Sequence, residues 1–196
     1  MAPVDFGTPT PEPKGGLVYV MGPSGAGKDT LINYARARVD PAAVIFAHRF
    51  ITRPAAAGGE NHITLSEREF AARRDAGLFA LTWNSHGLWY AIGVEVDTWL
   101  SRGLAVVVSG SRAAWPTAQV RYSNLRGLVV DAPTAIRAAR LIARGREDEC
   151  AIRARLEREV ALPFGERLQL VYNDGPVAAA GEQFVSFLRS VGSQVR

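Results

Sequence analysis

Leu17-Val18-Tyr19-Val20-Met21-Gly22-Pro23-Ser24-Gly25-Ala26-Gly27-Lys28-Asp29-Thr30 is the stretch that decides the fold. Its first five residues are an apolar run with glycine on both sides, the pattern of a strand buried on both faces of a parallel sheet. Gly22 to Lys28 reads G-x-x-x-x-G-K, and Thr30 to Arg38 has helical spacing that stops near Asp40-Pro41. A glycine-rich turn between a strand and a helix is a phosphate-binding loop. Its glycines let the backbone curl with N–H groups inward, so that these amides and the helix N-terminus meet a phosphate. Lys28 adds a mobile cation. The motif normally continues with Ser or Thr; here Asp29 stands in that place, followed by Thr30. A carboxylate there can ligate Mg²⁺ or hold a metal-bound water, or it can simply favour the first turn of a helix.

Outward from the loop, Val44-Ile45-Phe46 is a second short strand and Leu78 to Trp83 a third. Leu104 to Val108 is the clearest buried strand and runs into Ser109-Gly110-Ser111. Leu128 to Val130 and Leu168 to Tyr172 are further strands. Helices are expected from Ser66 (a capping residue with Glu69 three positions on), over Val94–Arg102, Pro133–Ala143 and Glu147–Val160, and over Val177–Val191. Strand and helix alternate, which predicts an α/β protein with a parallel sheet and right-handed crossovers. Residues 1–16, with four prolines and a Gly15-Gly16 pair, read as a flexible tail without the basic start and apolar stretch of a secretory signal. Residues 17–196 read as a single domain.

Apolar residues make up 47% of the 196 and charged residues 21%, enough for one packed core and incompatible with a disordered or fibrous chain. No apolar run approaches the roughly 20 residues that span a bilayer. No membrane partner and a cytoplasmic location are therefore expected. Cys150 is the only cysteine, which excludes an internal disulfide, and it reads as inert. The net charge of +4 comes from 23 basic residues of which only Lys14 and Lys28 are lysines. The arginines are scattered without a basic run, so no nucleic-acid partner is expected. A composition that favours arginine nearly everywhere kept lysine in the loop. His48 and His62 lack ligand partners at metal-binding spacing. The four tryptophans read as core. Neither lysine follows an asparagine, so the guanine-specificity motif of GTPases is absent. No carboxylate ends the Leu104–Val108 strand, as a motor ATPase would need. A small-molecule phosphotransferase remains.

The loop resembles that of guanylate kinases, and the likeness continues along the chain. Ile51-Thr52-Arg53-Pro54, Glu67-x-Glu69-Phe70, Gly87-Leu88-Trp89-Tyr90, Arg144-Gly145-Arg146, Arg155 and Asn173-Asp174 match segments of that pattern over about residues 17–191. Other positions depart from it. Asn84 stands at the base-reading glutamate on an ungapped match, and Ala55-Ala56-Ala57 where a second phosphate arginine falls. Ser109-Gly110-Ser111 replaces an acidic Asp-x-Asp, and His62 lies near a phosphate-site tyrosine. A pocket without its base-reading carboxylate disfavours guanine, because each unpaired polar edge costs roughly 1–3 kcal/mol.

The departures themselves resemble the ribose 1,5-bisphosphate phosphokinases of phosphonate breakdown, in His48-Arg49-x-Ile51-Thr52-Arg53-Pro54, Gly59-Glu60-Asn61-His62, Ser109-Gly110-Ser111-Arg112 and Gly27-Lys28-Asp29. The resemblance implies a three-layer P-loop kinase fold with an acceptor-binding insertion over about residues 48–93 and an arginine lid over about 143–155. It implies transfer of the γ-phosphoryl group of ATP, with Mg²⁺, to ribose 1,5-bisphosphate, giving 5-phosphoribosyl 1-diphosphate and ADP. ATP would lie on Gly22, Pro23, Ser24, Gly25, Ala26, Gly27, Lys28, Asp29, Thr30 and Asn173, with the metal near Asp29 and Thr30. Lys28, Arg144, Arg146 and Arg155 would act on the transferring group. Arg53, Glu60, Asn61, His62, Tyr90, Ser111 and Arg112 would hold the sugar and its phosphates. Either a monomer or a homodimer is compatible with the sequence. Two rival readings are a nucleoside monophosphate kinase and a non-catalytic guanylate-kinase-like interaction module; modules of that kind often lose the loop lysine, which this chain keeps.

Overall fold

The computed structural model of the chain describes residues 14–54, 62–85, 87–143, 145, 152–153, 156 and 167–193. Strand β1 (Leu17–Met21), buried at every residue, is the spine of a five-stranded sheet. It pairs in parallel with β7 (Ala105–Ser109) on one side and β8 (Arg126–Asp131) on the other. β2 (Val44–Phe46) extends the sheet beyond β7 and β9 (Leu168–Tyr172) beyond β8, also in parallel, so the order is β2-β7-β1-β8-β9.

Side chains alternate across this sheet and fill two cores. Val18, Val20, Val107, Leu128 and Val130 pack with Leu31 and Ala35 of α1 (Lys28–Arg36) and with Phe184 and Leu188 of α6 (Val177–Ser193). Leu17, Tyr19, Met21, Val106, Val108 and Val129 pack with Val96 and Leu100 of α3 (Glu95–Ser101) and with Trp115 and Ala118 of α4 (Trp115–Arg121). Covering both faces explains why β1, and β7 up to its last residue Ser109, carry no charged residue and are almost wholly apolar. Helix α1 starts and ends two residues earlier than its periodicity suggests, because the left-handed Gly27 (φ 91°) opens it. Helix α4 was not legible: it is short, its partner residues Trp115 and Ala118 are a single i, i+3 pair, and Pro116 reads as a breaker.

The alternation of strand and helix predicted one parallel sheet, but the structure has a second. β3 (Arg49–Ile51), β4 (His62–Thr64), β5 (Phe79–Ser85) and β6 (Leu88–Gly93) form a sheet of order β4-β3-β6-β5. β6 runs antiparallel to β3 and β5, while β3 and β4 are parallel. Only β5 was foreseen; strands of three residues are too short for a period-2 signal. The strap after β3 is tied to β6 by Thr52, whose Oγ1 accepts from the Trp89 amide at 2.9 Å and whose own amide donates to the Trp89 carbonyl at 3.1 Å. One face of this sheet carries Phe50 and Ala91 onto Phe70 of α2 (Glu67–Asp75), and the other sends Leu81, Trp83 and Ile92 into the core under the large sheet. Ser66 caps α2 as its spacing suggests, its Oγ accepting from the Glu69 amide at 3.1 Å.

Gly15 and Gly16 belong to the fold and not to the expected tail. The Gly15 amide donates to the Leu100 carbonyl and the Asn124 amide donates to the Gly15 carbonyl, while the Val106 amide donates to Gly16. Residues 1–13 of that stretch, most of the expected 147–160 helix, and Arg144, Arg146 and Arg155 lie outside the described residues. No helix among the described residues is long and apolar enough to cross a membrane.

Phe70 is the one buried residue of α2, 1% exposed, with rings of Phe79 and Trp89 at 4.9 and 5.8 Å. Phe70→Ala is expected to lower unfolding free energy by about 3–5 kcal/mol, read from denaturant melts.

Candidate active site

The chain leaves β1 through Gly22 (φ 151°), at whose position a Cβ would sit 1.9 Å from the Val130 carbonyl oxygen. It enters α1 through Gly27, where a Cβ would sit 2.3 Å from the Asn173 side-chain nitrogen. Only glycine fits either place. No side chain caps α1, whereas Ser66 caps α2. The first-turn amides of α1 are therefore left for an anion, as at other phosphate-binding helix starts.

The loop's carbonyls are held away from that opening. Lys28 Nζ donates to the carbonyls of Gly22 at 2.9 Å and Pro23 at 3.1 Å. The Ala26 carbonyl accepts from Asn173 Nδ2 at 2.8 Å and from Arg140 at 3.3 Å. Arg140 also donates to the Asn173 carbonyl at 2.9 Å, and the Asn173 amide donates to Asp131 at 2.8 Å. Asn173, expected on the nucleotide, is thus 2% exposed and sits beneath the loop, with its Oδ1 buried and unpartnered. Arg140 escaped the sequence reading because a basic residue in a helix's last turn ordinarily reads as solvated.

Asp29 faces a residue that the sequence reading assigned no role. Its Oδ1 lies 3.6 Å from a guanidinium nitrogen of Arg49, the first residue of β3, and the two side chains are 31% and 15% exposed. Burial pushes the Arg49 guanidinium below its ordinary pKa, and the carboxylate of Asp29 opposes this. Around Arg49 gather three of the expected acceptor residues. Its guanidinium lies 5.9 Å from the centre of the Tyr90 ring, which in turn stacks on Trp83 at 5.5 Å and 6°. The Arg53 charge repels that of Arg49, and His62 is paired with Arg49 across β3 and β4. Ser111 adjoins the same region through Tyr19, whose hydroxyl donates to the Ser111 carbonyl at 2.9 Å and feels the Arg49 charge. Ser111 Oγ caps the turn Arg112–Ala114. Glu60 and Asn61 lie outside the described residues. Asn84 pairs with Trp89 and alternates with Trp83, so its side chain leaves on the face away from Tyr90. Its identity therefore carries no information about a base on the Arg49 side.

For a metal, the donors are hard oxygens: the Asp29 carboxylate, the exposed Thr30 hydroxyl, and Ser109 Oγ, which is buried without a hydrogen-bond partner at the end of β7. No group of three or more His, Cys, Asp or Glu residues able to hold a metal exists among the described residues. This set fits Mg²⁺ carried mainly by phosphates and water, and not an ion caged by protein.

A glycine-rich loop at the end of a central parallel strand, an uncapped helix behind it and a lysine across it define a P-loop kinase. The fold is shared with a guanylate kinase from Anaplasma phagocytophilum (TM-score 0.64, 11% identity, 91% of this chain and 87% of that one). It is also shared with a sugar kinase from Janibacter (TM-score 0.54, 17% identity, 92% and 98%). No protein-family model matches the chain. Among curated proteins, the ribose 1,5-bisphosphate phosphokinase PhnN of Chromobacterium violaceum is 49% identical over 175 residues, 89% of this chain and 94% of that protein. That of Burkholderia pseudomallei is 50% identical over 177 residues, with 89% and 96% covered. That of Laribacter hongkongensis is 51% identical over 90% of this chain, which spans only 43% of that longer relative. The chain belongs to the ribose 1,5-bisphosphate phosphokinase PhnN family.

His62 supplies a solution test of this geometry. Burial, with the charges of Arg53 and then Arg49, holds its pKa below the ordinary 6.5, opposed by a hydrogen bond to the Arg53 backbone. The unfolded chain therefore binds more protons between the two values, and the His62 contribution to stability is lost as pH falls through 6.5. NMR titration is expected to give a pKa below 6.5, rising when a phosphorylated ligand neutralises the arginines.

Proposed function

We propose that the protein transfers the γ-phosphoryl group of ATP to the 1-phosphate of ribose 1,5-bisphosphate. The products are 5-phosphoribosyl 1-diphosphate and ADP. The observation that carries this reading is the pairing of an intact phosphate loop with a separate sheet that brings Arg49 and His62, with Arg53 on the strap beyond β3, toward that loop. In the reaction, a nonbridging oxygen of the acceptor's 1-phosphate attacks the γ-phosphorus, and the bond from that phosphorus to the β–γ bridging oxygen breaks. The acceptor oxygen is already anionic near neutral pH, so no general base is required. The work left to the protein is alignment and charge neutralisation.

Roles follow from position. The loop amides from Gly22 to Gly27 and Lys28 hold the β- and γ-phosphates, with Lys28 exchanging the Gly22 and Pro23 carbonyls for phosphate oxygens. Asn173 acts from below, keeping the Ala26 carbonyl turned away. Asp29 and Thr30 would hold Mg²⁺, which when bound draws charge from the β- and γ-phosphate oxygens. Arg53 and Arg112 hold acceptor phosphates, Tyr90 adds a hydroxyl, and Glu60, Asn61 and His62 hold the ribose. Arg144, Arg146 and Arg155 close over the transferring group from the lid.

The test is purified protein with Mg·ATP and either ribose 1,5-bisphosphate or GMP, with products resolved by phosphorus NMR. Formation of 5-phosphoribosyl 1-diphosphate is expected. GMP turnover in its place would identify a nucleoside monophosphate kinase, and absence of Mg·ATP binding would identify a non-catalytic module. Lys28→Met is expected to lower kcat by about 10²-fold or more, since it removes the cation placed where charge develops, with the thermal midpoint little changed. Arg112→Ala is expected to raise the sugar KM more than the ATP KM; equal changes would remove Arg112 from the acceptor site.

A further inference from the structure

We infer that Arg49 binds the phosphate of the acceptor nearest the donor, and that Asp29 positions it, making this pair the selector for a sugar phosphorylated at both ends. The inference rests on the reading of the reaction given under Proposed function.

Three observations meet at Arg49. The first is its face of the sheet. Arg49 and Ile51 alternate with Phe50, and Phe50 belongs to the aromatic cluster on α2. Arg49 is therefore on the side of Tyr90 and Ile92, its register neighbours on β6, and this side looks toward the large sheet. The second is its anchor. The Asp29 carboxylate belongs to the residue directly after Lys28, so an arginine reaching Asp29 reaches the rim of the phosphate loop. Arg53 stands four residues further along the strap and Arg112 begins the turn after β7, whereas Arg49 contacts that rim directly through Asp29. The third is charge. Arg49, Arg53 and His62 act on one another with like sign, and Asp29 is the carboxylate opposing Arg49. A cationic cluster with a contact as long as 3.6 Å to its carboxylate gains from a dianion more than from a neutral hydroxyl. A guanidinium presents two parallel N–H groups to a phosphate, which an ammonium cannot do.

A phosphate on Arg49 would lie beside the loop that holds the donor, as an attacking phosphate oxygen must. The distal phosphate of the sugar would then fall to Arg53 and Arg112. This division gives different results for two related ligands. Ribose 5-phosphate lacks the group that Arg49 would bind, whereas ribose 1,5-bisphosphate has it.

The experiment is calorimetric binding of both sugars to wild type, Arg49→Met and Arg49→Lys, without ATP or Mg²⁺. Steady-state KM values for the bisphosphate and for ATP accompany it. Loss of the two-pronged charged contact is expected to weaken bisphosphate binding by about 30-fold or more. Ribose 5-phosphate affinity and the ATP KM are expected to stay within about twofold. Arg49→Lys is expected to recover part of the bisphosphate affinity, and in the same binding assay without ATP or Mg²⁺ Asp29→Asn is expected to weaken bisphosphate binding with Arg49 present and to add little in Arg49→Met. Thermal midpoints identify a variant that fails to fold, and Arg49→Lys then carries the comparison. Equal weakening of both sugars, or no change for the bisphosphate, would overturn the assignment of Arg49. A wild-type protein that turns over GMP and not the bisphosphate would overturn the reading of the reaction beneath it.

Discussion

A phosphate-binding loop works only if its carbonyls point away from the anion, because a carbonyl oxygen facing a phosphate oxygen repels it. Three backbone carbonyls of this loop are held by side chains. Lys28 takes Gly22 and Pro23 until a phosphate replaces them, and Asn173 with Arg140 takes Ala26. The support comes from three separate elements: α1, the end of β9 and α5 (Thr134–Ala143). Position therefore depends on tertiary packing. The left-handed Gly27 completes the arrangement, since a side chain there would meet the amide of Asn173. The large sheet and its two helical layers exist, from the standpoint of the site, to hold these elements against one loop.

The second sheet solves a different problem. An acceptor must be brought to the donor without sharing its seat. β3 and β6 form a short antiparallel platform, fixed on one face by the Phe70 cluster and on the other by the core beneath β1 and β7. The platform thus meets the loop along a rigid edge, and the Asp29–Arg49 pair crosses that edge. Desolvating an arginine is costly unless its charge is answered, and the Asp29 contact, at 3.6 Å, answers it loosely.

The parts of this molecule that follow one-dimensional rules were legible in the sequence. Leu17–Met21 announced itself by an unbroken apolar run, the loop by its glycines, and the start of α2 by Ser66 and Glu69. What escaped was set by partners distant in sequence. β3 and β4 are three residues each and exist because β6 lies beside β3. Arg140 became a loop support only because the folded chain puts it against Ala26. Asn173 was expected on the nucleotide, whereas its burial beneath the loop depends on the pairing of β8 with β9. Asn84 shows the reverse error. An ungapped match gave it meaning, while strand alternation turns its side chain to the other face from Tyr90.

The composition of the site also explains why so few carboxylates are needed in it. Enzymes that phosphorylate a hydroxyl must remove a proton, and a base is placed accordingly. A phosphate acceptor arrives ionised, so the obstacle is repulsion between two anions, and the remedy is positive charge divided between them. In the proposed reading Lys28 answers the donor, and Arg49 and Arg53 the acceptor. Asp29, a carboxylate in contact with Arg49, stands where a neutral Ser or Thr is usual. A negative charge at that point repels the donor phosphates unless a cation answers it. Set against Arg49, it becomes the means by which the loop that holds one phosphate fixes the residue that receives another.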